Sequence, residues 1–144
     1  EQKGKIPFVT EYLHVTSSSY ASVSGKRLFL SPNLFNKVTE RLKSDSAREY
    51  DIVFHKARTS IDTIHLKIPE GYTPEAVPKN VSITNKFGSY NITFNIDGNN
   101  VKCIRFFEKK MGRFAPSEYN SLVKFYDDMF KADRSKIVFV KKES

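Results

Sequence analysis

Cys103 is the only cysteine in the chain. A catalytic thiol needs a base, and it commonly sits at a helix N-terminus or in an electropositive cleft where the thiolate is favoured. Cys103 instead stands mid-strand between Lys102 and Ile104. No family-like spacing links it to His14, His55 or His65, so a structural thiol is expected. A lone cysteine also excludes an internal disulfide framework and a cysteine-rich zinc site. The histidines lack the i, i+4 spacing that makes a metal site specific, and surface or internally satisfied imidazoles are expected. The sequence therefore assigns no catalytic, cofactor-binding or metal-ligating residue.

Other candidates carry equally little chemistry. Paired carboxylates for glycoside hydrolysis flank a cleft at set separations. Asp127 and Asp128 are adjacent on a predicted helix, where neighbouring side chains diverge. Asn80-Val81-Ser82 and Asn91-Ile92-Thr93 match the glycosylation sequon, but Asn91 is also an ordinary outward strand position. Lysine and arginine number 24 against 16 aspartate and glutamate, a formal net charge of +8. Such a balance suits acidic partners, yet no block of five like charges appears and the longest clusters are pairs such as Lys109-Lys110. With no ribonucleoprotein-type aromatic motif, zinc-finger spacing or helix-turn-helix, no nucleic-acid partner is expected. Tyr90 and Phe94 share a face that core packing explains equally well.

The elements that would position these residues are mostly strands. Over residues 61–110, Ile64, Leu66 and Ile68 alternate with Thr63, His65 and Lys67, the period of a half-buried strand. Pro69-Glu70-Gly71 ends it. Val81 and Ile83 form a second strand, and Lys86-Phe87-Gly88-Ser89 turns the chain. Tyr90, Ile92, Phe94 and Ile96 form a third, Asp97-Gly98 marks a hairpin, and residues 101–107 return. This reads as a β-meander. Upstream, residues 6–15 read as a first strand, with Val9, Leu13 and Val15 on one side and Phe8, Tyr12 and His14 on the other. Residues 27–30 and 50–54 read as further strands, and Leu34, Phe35, Val38 and Leu42 fit a short helical stripe. Downstream, Met111-Gly112-Arg113 reads as a turn. Pro116 opens a helix whose stripe is Tyr119, Leu122, Val123, Tyr126, Met129 and Phe130, and residues 136–142 close as a strand. The expected fold is mainly β: an antiparallel β-sandwich, immunoglobulin-like or related, with one C-terminal amphipathic α-helix packed on or beside the sheets, all in a single domain over residues 1–144. No transmembrane segment or signal peptide is read. Glu1 is not an initiating residue, so a piece of a longer protein is expected.

Several pieces together resemble a known arrangement. They are Asp62-Thr63-Ile64, Ile68-Pro69-Glu70-Gly71-Tyr72, Val77-Pro78, Lys86-Phe87-Gly88-Ser89-Tyr90, Gly112-Arg113-Phe114, Tyr119, Phe125-Tyr126 and Lys136-Ile137-Val138. Residues 50–142 thereby resemble the C-terminal β domain of bacterial multidomain transglutaminase-like proteins, in which an N-terminal β domain and a papain-like core come first. The resemblance implies that the Cys-His-Asp chemistry lies upstream of Glu1, and Cys103 does not stand in that core's motif. It also implies an exported protein, in the periplasm or at the cell surface. In some such bacteria Asp-Ser/Thr-apolar triplets carry O-linked sugar, and Asp45-Ser46-Ala47 and Asp62-Thr63-Ile64 fit that pattern.

The expectation is a non-catalytic accessory domain that packs against the catalytic and N-terminal domains of its parent chain or positions their substrate. Cell-envelope peptide or glycan is a further expected partner, and no cofactor is implied. The alternative is a carbohydrate- or glycan-binding β-sandwich module using exposed tyrosine. A stand-alone enzyme using Cys103 is the third reading.

Overall fold

The computed structural model of the chain describes residues 9–39 and 41–143. Along them run β1 (Ala21–Ser24), β2 (Arg27–Leu30), β3 (Ile52–Phe54), β4 (Arg58–Lys67), β5 (Tyr72–Ala76) and β6 (Val81–Asn85). Next come β7 (Gly88–Asp97), β8 (Asn100–Lys109), β9 (Gly112–Phe114), a 3-10 turn at Pro116–Glu118, α1 (Tyr119–Ala132) and β10 (Ile137–Lys141). The strands make three antiparallel sheets, in the orders β1-β2-β10-β5, β3-β9 and β4-β8-β7-β6. The fold is mainly β with one C-terminal helix, as the alternating apolar pattern predicts.

The β4-β8-β7-β6 sheet has one buried face, and its residues follow the period of two. Tyr90, Ile92, Phe94 and Ile96 of β7 stand opposite Phe107, Arg105, Cys103 and Val101 of β8, with Ile64 and Leu66 of β4 beyond. Two partners share this face. Around Val101, the first sheet supplies Ile137 and Phe139 of β10, with Leu28 and Leu30 of β2. Around Tyr90, Ile92 and Cys103, α1 lays down Leu122, Phe125, Met129 and Ala132, while Ile52 and Phe114 come from the small β3-β9 sheet. The helix thus takes the place that further strands would fill in a plain sandwich. Its buried stripe runs through Phe125 and Ala132, which the sequence stripe passes over, while Val123, Tyr126 and Phe130 are half-buried.

Several local expectations change. The meander holds for β6, β7 and β8, but β4 pairs with β8 and not with β6. Between β4 and β6 the chain leaves for the other sheet as β5, a strand absent from the sequence reading. Pro74 disguises it, and β5 tolerates that proline because it is an edge strand. Residues 111–113 were expected to turn; Gly112–Phe114 instead forms β9, laid against β3. Residues 9–15 carry no strand, and 6–8 of that expected strand lie outside the described residues. A strand needs a ladder partner, and among the described residues none pairs with 9–15. The described part of 33–43 is not helical. Its polar groups are met within the loop and from the end of α1: the Asn33 side-chain oxygen accepts from Asn36 N–H, Asp133 accepts from Val38 N–H, and Arg134 donates to the Val38 carbonyl.

These contacts lead to a buried charge. Arg105 occupies an inward position on β8 and is 3% exposed, and Asp133, just past the end of α1, is 2% exposed. A buried charge is tolerated only when it is paired and hydrogen-bonded. Asp133 Oδ1 accepts from Arg105 Nε at 2.7 Å, Tyr90 Oη at 2.8 Å and Asn33 Nδ2 at 3.1 Å. Its Oδ2 accepts from Val38 N at 2.8 Å and Arg105 Nη2 at 3.2 Å. Arg105 Nη1 reaches Asp62 Oδ2 at 3.2 Å, and its guanidinium lies 5.2 Å from the centre of the Tyr90 ring. Burial alone would lower the pKa of Arg105, but the bonds and charge of Asp133 outweigh it and raise it. Burial, and then Asp133, pushes the Tyr90 phenol up as well. One carboxylate thereby joins the helix end, β7, β8 and the 33–38 loop.

Asp133→Ala is expected to destabilise the domain by about 3–5 kcal/mol in urea unfolding, because it removes the main partner of the buried Arg105 and leaves it only Asp62. Combining it with Arg105→Met restores little, since Tyr90, Asn33 and the Val38 amide still lack their acceptor; full recovery would show that the pair is not a hub. Gly88 is fixed by close approach: a Cβ there would lie 1.9 Å from the Glu108 carbonyl oxygen. Gly88→Ala is expected to cost about 1–3 kcal/mol in the same assay, as overpacking does, and unchanged stability would refute the contact.

Candidate functional site

The strongest surface feature lies along β4. This strand ends its sheet, and among the described residues no strand pairs with its outer edge. Beside that edge runs an open groove of about 900 Å³, walled by residues 61–65 of β4, the 32–36 loop, Tyr20, Leu13 and residues 15–17. The loop is held in place from beneath. Asn33 bonds the buried Asp133, and Asn36 donates to Asp62, which in turn receives Arg105. Tyr20 Oη donates to the Pro32 carbonyl at 3.2 Å. Anchored in this way, the loop directs its large side chains outward: Phe35 is 77% exposed, and across the groove Ile61 is 66% and Leu13 76% exposed. Clustered exposed apolar side chains mark an interaction surface. A free strand edge adds a row of main-chain donors and acceptors. Together they can bind a chain or a complementary surface.

The residues singled out for chemistry are not brought together. Cys103 is fully buried, packed with Ile92, Met129 and the rest of the helix-side core. Burial, helped by the charges of Asp133 and Asp62 and opposed by Arg105, pushes its thiol up to about 11. His14, His55 and His65 are exposed, on the 9–17 segment, after β3 and on β4 respectively. Among the described residues no three His, Cys, Asp or Glu side chains form a metal-sized group. Asp127 pairs with Arg41 and Lys131, and Asp128 with Lys124. The Lys131 hydrogen bond holds the Asp127 carboxyl below its usual range. Tyr90 is fully buried on Asp133, so it offers no stacking face. Asn80 lends its side-chain oxygen to the Phe94 amide. Asp45-Ser46-Ala47 lies in an exposed loop, with Asp45 Oδ1 accepting from Ala47 N–H, whereas Asp62 is engaged by Arg105 and Asn36. No helix among the described residues is long and apolar enough to cross a membrane.

Sequence reasoning missed Arg105, Asp133 and the groove. Arg105 carried a signal, since it falls in phase with Val101, Cys103 and Phe107 on the apolar side of β8. The groove carried none, because it joins residues far apart in the chain. Under native conditions at pH 8, iodoacetamide is expected to leave Cys103 unmodified and to label it fully once the chain is unfolded; stoichiometric native labelling, read by mass spectrometry, would contradict the buried, protonated thiol.

Comparison with known proteins places this geometry. A search among curated proteins finds no match. A crystal structure described as a "putative protease" from Parabacteroides distasonis is similar in fold, with a TM-score of 0.56 and 19% identity over 68% of this chain. The match spans only 19% of that protein's chain. A family described as a domain of unknown function with a solved structure (DUF3858) matches residues 26–139, and the chain belongs to that family.

Proposed function

We propose that residues 1–144 act as one non-catalytic accessory domain of a larger protease- or transglutaminase-like protein, docking on neighbouring domains of its parent chain. The observation that carries this reading is the groove beside β4, where Phe35, Ile61 and Leu13 are exposed around a free strand edge. Apolar side chains held out by a rigid buried network suit a permanent contact with another surface. The similar Parabacteroides structure supports the reading, since there the part similar in fold makes up 19% of a longer chain. The resemblance of residues 50–142 to the C-terminal domain of transglutaminase-like proteins supports the same role and a periplasmic or cell-surface location. In this role the domain stabilises the neighbouring core or positions its substrate.

The test uses the parent protein expressed as two separate pieces, this domain and the remainder. Phe35→Asp with Ile61→Asp is expected to weaken association of the pieces at least about tenfold by titration calorimetry, the loss of a pair of apolar anchors, with the unfolding midpoint of the isolated domain unchanged. Association as tight as that of the unsubstituted pair would overturn the assignment of this face.

A further inference from the structure

The β4-β8-β7-β6 sheet ends on its other side at β6, and among the described residues no strand pairs with the outer edge of β6. Sheet edges are commonly blunted by charge, proline or a bulge. β6 is Val81-Ser82-Ile83-Thr84-Asn85, an ordinary strand length without charge or proline, and its register with β7 is unbroken. Two asparagines pin its ends. Asn80 Oδ1 accepts from Phe94 N–H at 2.9 Å, and Asn85 Oδ1 accepts from Phe87 N–H at 2.9 Å and Gly88 N–H at 3.2 Å. The edge is thus set before any partner arrives, which lowers the ordering cost of pairing with it.

A groove of about 370 Å³ runs beside this edge, between β6 and the C-terminal half of α1. Val81 and Ile83 form one wall, and Asp128, Lys131, Ala132 and Ser135 form the other. The second set recurs at i, i+3, i+4 and i+7, so it shares one face of α1 and its end. Val81 and Ile83 are the inward residues of β6, half-buried against the core. A strand added about 5 Å outside β6 would turn every second side chain into this groove. The volume is that of a small-ligand cleft, room for a few side chains of one extended segment.

The rim is basic. Lys79 stands two residues before Val81, and Lys136 directly follows Ser135. Both are exposed, and among the described residues neither joins an ion pair. Lys131 pairs with Asp127, but Arg41 shares that carboxylate, and Asp128 is taken by Lys124. Positive charge is therefore in excess where β6 begins and α1 ends, and it draws acidic groups to that point.

We infer that the groove between β6 and α1 binds an extended acidic peptide segment of another protein by strand addition to β6. The segment runs antiparallel to β6. Its alternate apolar side chains rest on Val81, Ile83 and Ala132, and its acidic C-terminal end reaches Lys79 and Lys136. β6 and β4 are opposite edges of one sheet, so a bound segment leaves Phe35 and Ile61 free for the docking contact, and the two assignments stand or fall separately.

The experiment is titration of the isotopically labelled chain with the synthetic peptide Thr-Val-Thr-Val-Thr-Asp-Glu-Asp, followed by amide chemical shifts. Expected are shifts confined to residues 79–85 and 128–136 that saturate below about 1 mM peptide. Lys79→Glu with Lys136→Glu is expected to weaken binding at least about tenfold, with the unfolding midpoint unchanged. Methylating every backbone nitrogen of the Thr-Val part is expected to weaken it at least about tenfold as well, because strand addition needs those donors. No saturable shifts at β6, or shifts that fall on the edge of β4 instead, would overturn the assignment. So would binding indifferent to the lysine substitutions or to methylation. Equal shifts from Asp-Glu-Asp alone would also overturn it, since the site would then be a basic patch for any anion.

Discussion

The carboxylate of Asp133 is the point on which the structure depends. It stands just beyond the last turn of α1, where the helix dipole disfavours a negative charge, and it is out of contact with water. Arg105 makes that position tenable, and Tyr90, Asn33 and the Val38 amide fill the remaining acceptor sites. A buried ion pair adds little net stability over an apolar pair, but it cannot shift without leaving a charge unmet. Its effect is therefore on geometry. It sets where the helix ends against β7 and β8, and where the irregular 33–38 loop lies.

That constraint reaches the surface through Asp62 and Asn36. Asp62 links Arg105 to the loop carrying Phe35, and Asn33 links the loop to Asp133. The groove wall is thus an extension of the core network. This explains how a segment with no helix or strand of its own can hold large apolar side chains in solvent beside a sheet edge. Cys103, expected from the sequence to be a structural thiol, belongs to the interior of the same system, where burial keeps its thiol protonated.

Much of the fold was legible in the chain because the long strands alternate strictly. β6, β7 and β8 follow from Val81 to Phe107 with little ambiguity, and α1 follows from its apolar spacing and Pro116. β5 and β9 were not legible, because Pro74 and Gly112 read locally as breakers and only their partners, β10 and β3, make strands of them. The helix expected near residue 38 failed for a related reason: Asp133 and Arg134, about a hundred positions away, satisfy that backbone instead. The candidate face was the least legible part. Apolar residues such as Phe35 and Ile61 look like core in sequence, and only the sheet order shows that, among the described residues, no strand pairs with the outer edge of β4.

The most direct test of the account is a structure of the complete parent protein. The account predicts that another domain of that chain rests on the surface formed by the 32–36 loop and the outer side of β4, burying Phe35 and Ile61. A structure in which both side chains remain in solvent, with the neighbouring domains meeting some other face, would contradict it.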